Sequence, residues 1–93
     1  MVNAKALQKK FERAVALHSA QKFEKAIDAY RSILKKSPTY APALTNLGQA
    51  LRKLGKNDPA LKYYERATQV PEVDYGAWFN LANLQLELKN ILE

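Results

Sequence analysis

Few side chains in this sequence combine the type and spacing that catalysis needs. His18 is the only histidine and cysteine is absent, which removes paired-histidine metal sites, thiol nucleophiles and disulfides. The carboxylates Glu12, Glu24, Asp28, Glu65 and Glu87 are scattered, with no tight pair for general acid–base work. Gly48, Gly55 and Gly76 are too far apart to form a phosphate-cradling loop. Non-covalent chemistry remains. Asn46 and Asn80 hold the same place in two copies of an internal repeat, and an amide carries both donors and acceptors, which suits it to the backbone of an extended peptide. Lys5, Lys9, Lys10 and Arg13 follow a three- and four-residue spacing, so one helix face would carry a basic stripe. Such a stripe can track phosphates, but here it has little aromatic interleaving and no base-reading motif.

The chain that must position these groups has 93 residues and a mass of 10.5 kDa, enough for one domain. Its 47% hydrophobic and 26% charged content is that of a folding globular chain. Only roughly 60 to 65% of the unfolded surface is buried at this size, so a deep catalytic pocket is not expected. No apolar run reaches signal-peptide or membrane-span length, and a cytoplasmic location without cofactor or metal is the expectation. The net charge of +6 divides unevenly, at +6 over residues 1–38, +3 over 39–71 and −3 over 72–93.

One repeat period organises the chain: Ala16, Leu17, Lys22, Ala26 and Tyr30 recur as Ala50, Leu51, Lys56, Ala60 and Tyr64. At the same interval Ala43, Asn46, Leu47 and Leu54 recur as Ala77, Asn80, Leu81 and Leu88. Leu7, Phe11, Ala14 and Leu17 share one helical face, as do Phe23, Ala26, Ile27, Tyr30 and Leu34, then Leu44, Leu47, Leu51 and Leu54. Leu61, Tyr64 and Ala67 mark a fourth helix, and Trp78, Leu81, Ala82, Gln85 and Leu88 a fifth. Breaks are expected at Ser37-Pro38, from Leu54 through Asn57, and at Val70-Pro71, with restarts at Asp58 and Asp74.

The pattern resembles the tetratricopeptide repeat. Its spaced signature is carried by Leu44, Leu47, Gly48 and Leu51 followed by Ala60, Tyr64 and Ala67, and by Ala14, Leu17, Ala26, Tyr30 and Pro38 in the preceding copy. A third copy opens with Trp78, Leu81 and Ala82; Arg13, Gln85 and Lys89 depart from the family pattern. The resemblance implies an all-α, right-handed solenoid of helical hairpins, with repeats at about 7–40 and 41–74 and a shortened third at 75–93. Gly48, Ala82, Ala26 and Ala60 would let paired helices approach closely, and Trp78, Leu51, Tyr30 and Tyr64 would fill the core.

It further implies a concave groove that binds a peptide or protein segment. Phe11, Glu12, Val15 and His18 would line it in the first copy, Thr45, Asn46, Gln49 and Arg52 in the second, and Phe79, Asn80, Asn83 and Leu86 in the third. Asn46 and Asn80 are similar to the asparagine ladder of O-GlcNAc-transferase-type repeats. The cationic clamp that some family members use for chaperone C-termini is not matched, since its places hold Phe11, Val15, Asn46, Gly76 and Asn80.

The third copy is expected to stop where a second helix would start, at about Asn90 to Leu92, leaving Leu84, Leu86, Ile91 and Leu92 as an exposed self-association surface. Interaction without catalysis is the leading function. The alternatives are an N-terminal segment of a larger bacterial enzyme such as a glycosyltransferase or sulfotransferase, self-assembly or homodimerisation through the last helix, and nucleic-acid binding through the basic first helix.

Overall fold

A computed structural model describes residues 3–71 and 75–92 of the chain. Five helices are formed among them: α1 (Ala4–Ser19), α2 (Phe23–Lys36), α3 (Ala41–Lys53), α4 (Asn57–Thr68) and α5 (Tyr75–Leu92). Local chemistry sets their ends. The Asn3 side chain accepts from the backbone N–H of Lys5 at 2.9 Å and of Ala6 at 3.3 Å, satisfying two of the free donors at the start of α1. Pro42 sits in the first turn of α3, where its missing N–H costs nothing.

The turns that close α1 and α3 are copies of one another. After α1, Lys22 N–H donates to Leu17 C=O at 2.9 Å while Gln21 takes φ 62°. After α3, Lys56 N–H donates to Leu51 C=O at 2.9 Å while Gly55 takes φ 76°. Both bonds close the left-handed turn that ends many helices. Glycine adopts that backbone freely, whereas Gln21 adopts it against a steric cost.

Each helix packs on the next in chain order, α1 on α2 through α4 on α5. Beyond those neighbours, α1 touches α3 and α3 touches α5, with no corresponding contact between α2 and α4. The odd-numbered helices therefore form the crowded inner layer and the even-numbered ones the outer layer, which is the curvature of a hairpin solenoid. The core follows the stack, from Leu7 and Ala14 through Ala26, Tyr30 and Ile33 to Ala43, Leu44, Leu47 and Leu51, then Ala60, Tyr64 and Ala67. Tyr30 and Tyr64 are fully buried, as their spacing implies.

α5 departs from expectation in three ways. First, its helix runs without a break to Leu92, so no second helix begins at Asn90. Second, the buried stripe is Ala77, Leu81 and Leu84, with Leu88 packed beside it, and it lies against α4. Leu84 is fully buried and belongs to this stripe, not to an exposed surface. Third, Trp78 is 54% exposed and Ala82 is exposed as well, so neither is a core residue. The physical reason is shared: α4 covers one face of α5, and no described element covers the adjacent face on which Trp78, Ala82 and Gln85 stand. Leu86 is 59% exposed, as expected, while the side chains of Ile91 and Leu92 lie outside the described residues. The restart expected at Asp74 also lies outside them.

Candidate functional site

Two depressions adjoin one another across the inner layer. The first, of about 730 Å³, is bounded by Thr45, Asn46 and Gln49 of α3 and by Gly76, Ala77 and Asn80 of α5. Its walls are the turn residues Ser37, Thr39 and Tyr40 before α3, and Val70 and Pro71 before α5. Every described residue lining it is uncharged. The second, of about 660 Å³, shares Gln49 and Asn80 with the first and adds His18, Arg52, Lys53, Asn57 and Glu87. The surface thus passes from a neutral, amide-lined stretch to a charged one, with Gln49 and Asn80 at the junction.

Helix geometry explains this convergence. Thr45, Asn46 and Gln49 fall at i, i+1 and i+4 on α3, on the flank of the buried Leu44, Leu47 and Leu51 stripe. The repeat period places Asn80 on α5 where Asn46 stands on α3, and packing of the odd-numbered helices brings both amides into one depression. Asn46 also engages the hydroxyl of Tyr30. An amide has two donor hydrogens and two acceptor lone pairs, so that contact uses only part of its capacity.

In the charged stretch a second correspondence holds. His18 Nδ1 lies 3.1 Å from the Tyr30 hydroxyl, and one period later Arg52 lies near the Tyr64 hydroxyl, which is buried without a hydrogen bond of good geometry. Each pair places a polar head from an inner helix over a buried phenol. Burial raises the pKa of both phenols, and Asn46 and Arg52 respectively offset part of the rise. His18 moves the other way: partial burial, and then the positive charge of Lys53, lower its pKa and favour the neutral ring. Arg52 in turn forms an ion pair with Glu87, with its Nε donating to Glu87 Oε2 at 3.2 Å, which ties α3 to α5. That bond is the largest influence raising the Arg52 pKa.

The remaining expected groove residues divide. Phe11 is half-buried, its ring 6.1 Å from Tyr30 and 5.6 Å from Tyr40, and it serves as scaffold beneath the surface. Glu12 is exposed on α1 and accepts from Gln8 Nε2 at 3.5 Å. Val15 and Asn83 are partly buried and line neither depression. Phe79 is 66% exposed and also lies outside both. Sequence reasoning missed Tyr40, Val70 and Pro71, because turn residues carry no helical periodicity. It missed Glu87 as a partner for Arg52, although Glu87 falls only one position beyond the place that the repeat period assigns to Arg52 in the next copy. Among the described residues no group of histidine, cysteine or carboxylate side chains is arranged to hold a metal ion. No helix among them is long and apolar enough to cross a membrane.

A family profile described as tetratricopeptide repeat matches residues 3–72. The chain belongs to the tetratricopeptide repeat family. A curated relative, tetratricopeptide repeat protein 21B of Xenopus laevis, is 36% identical over 74 residues, which is 80% of this chain. Those residues make up only 6% of the relative's length. The tetratricopeptide helices account for the equivalence of positions one period apart, from the left-handed turns at Gln21 and Gly55 to the amides of Asn46 and Asn80.

Proposed function

We propose that this tetratricopeptide chain is a protein-interaction module that holds an extended peptide segment along α3 and α5 and performs no catalysis of its own. The observation that carries the reading is the neutral depression in which Asn46, Gln49 and Asn80 converge with Thr45. Charged side chains would select a charged ligand, whereas primary amides pair with the alternating N–H and C=O groups of any extended backbone. On this reading the repeats at 41–74 and 75–93 supply the surface by placing Asn46 and Asn80 at equivalent places on α3 and α5, while the repeat at 7–40 carries Glu12 there. Nucleic-acid binding draws no support from it, because the basic residues of α1 line neither depression.

The test starts from peptides selected against the 93-residue chain from a random display library. Replacing Asn46 and Asn80 together by Ala should weaken a selected peptide by on the order of 1 kcal/mol per lost hydrogen bond, measured by calorimetry. Raising the salt concentration should leave the affinity nearly unchanged. Unchanged affinity in the double variant would remove the two amides from the mechanism. A steep fall with salt would replace amide recognition by charge recognition.

A further inference from the structure

The two buried phenols, one period apart, are not equally served. The Tyr30 hydroxyl meets His18 Nδ1 at 3.1 Å and is engaged by Asn46. A neutral imidazole nitrogen can accept the proton of a phenol. One period later the places of His18 and Asn46 are held by Arg52 and Asn80. A guanidinium has donors and no acceptor, and Arg52 is turned to Glu87, its Nε donating to Oε2 at 3.2 Å. Among the described residues the Tyr64 hydroxyl is the one buried side-chain polar atom without a hydrogen-bond partner. Leaving such a group unpaired costs free energy, and in a folded chain it calls for an explanation.

The explanation lies in the second depression, of about 660 Å³, which Tyr64 lines together with Arg52, Lys53, Gln49 and Asn80. Glu87 is the only carboxylate among its described lining residues. Two cations therefore face one anion, donors outnumber acceptors, and what the Tyr64 O–H lacks is an acceptor. We propose that this depression takes one carboxylate side chain, Asp or Glu, of the bound segment, which displaces Glu87 from Arg52 and accepts the Tyr64 O–H. The proposal rests on the peptide reading above, and adds to its backbone-reading amides one place where the ligand's side chain is selected. Glu87 can give way, because its side chain is 55% exposed and passes into water when displaced. Since one carboxylate replaces another on Arg52, the number of ion pairs there is unchanged and the salt dependence of binding stays shallow. Arg52, Lys53 and Tyr64 are not at the places of the chaperone-peptide clamp, which here hold Phe11, Val15, Asn46, Gly76 and Asn80.

The probes are the peptides selected from the display library, each remade with its Asp and Glu residues changed singly to Asn and Gln and titrated calorimetrically into the full chain. The expected result is one acidic position, common to the selected peptides, whose amide analogue binds about tenfold weaker, as loss of a charge-assisted hydrogen bond does. Tyr64→Phe should remove most of that preference. It should not lower the urea midpoint of the free chain, because the hydroxyl it deletes has no partner there. Glu87→Gln should tighten the acidic peptide by up to about fivefold, the worth of an exposed ion pair that no longer has to be broken. Asn46 lines only the first depression, so Asn46→Ala should weaken an acidic peptide and its amide analogue alike; failure of the amide reading and failure of the carboxylate site thus appear in different variants.

Absence of a shared acidic position would overturn the proposal, as would a preference for the acid that Tyr64→Phe leaves intact. A lowered urea midpoint for Tyr64→Phe would also overturn it, by showing that the hydroxyl is already partnered within the chain. Weaker binding of the acidic peptide to Glu87→Gln would do the same, since Glu87 would then assist the ligand and not compete with it. A library that yields no binder would overturn this proposal and the peptide reading together.

Discussion

α3 and α5 carry the same register of positions into different surroundings. On α3 the inner flank forms the depression, and the opposite flank is closed by α4 down to a glycine that admits the Tyr64 ring. On α5 the inner flank continues the depression through Asn80, one face lies on α4 through Leu81 and Leu84, and the face equivalent to the closed side of α3 is open. Leu44 is 1% exposed and its counterpart Trp78 is 54% exposed. Residue type does not decide burial here, since tryptophan is the larger apolar group. Burial is decided by whether a helix packs on the position, as α4 does on α3 and as no described element does on the Trp78 face.

The largest effect that tests this contrast is core truncation. Leu44→Ala should lower unfolding free energy by about 2 to 5 kcal/mol. Trp78→Ala should cost less than about 1 kcal/mol despite removing more atoms, because the indole is half in solvent. Urea titrations of the two variants compare them directly, and equal losses would erase the distinction between the helices.

Next in size is the small-residue position. Gly48→Ala should destabilise by about 1 to 3 kcal/mol, because the added methyl would stand 2.5 Å from the fully buried Tyr64 ring, which must shift to admit it. At Ala82 even a leucine should change stability by no more than about 0.5 kcal/mol, as the position is exposed and leucine is a good helix former. Thermal melts resolve a difference of this size in a chain of 93 residues.

Smallest is the link that joins the two helices on their inner side. Glu87→Gln removes the ion pair with Arg52, both of whose side chains are partly in solvent. The expected loss is about 0 to 1 kcal/mol, diminishing as salt is added. A loss of several kcal/mol would mean that the α3–α5 contact rests on this pair and not on apolar packing through α4.

Most of the scaffold was legible because repetition and apolar spacing report the same packing twice. The period placed Tyr30 and Tyr64 in the core, and Gly55 marks a turn by backbone chemistry alone. The turn at Gln21 was not legible, since glutamine gives no signal for the left-handed conformation that its glycine counterpart advertises. Trp78 misled for a different reason. Its position carried the register of a core residue, but burial depends on a neighbouring helix that one residue's type cannot report. The expected stripe of Trp78, Leu81, Ala82, Gln85 and Leu88 is packed at Leu81 and Leu88 but exposed at Trp78, Ala82 and Gln85, because the buried face turns instead through Ala77 and Leu84. The depression was legible in its amides, Asn46 and Asn80, and illegible in its turn-borne walls.

The most direct measurement is the emission of Trp78 in dilute solution, with and without acrylamide as a collisional quencher. An open α5 face predicts red-shifted emission that acrylamide quenches readily, at a sizeable fraction of the efficiency of a free indole because the indole is 54% exposed, and that is unaffected by Leu44→Ala or Gly48→Ala at temperatures where both variants remain folded. Blue-shifted emission protected from acrylamide in the dilute monomer would mean that the indole is packed, and would contradict the contrast between α3 and α5.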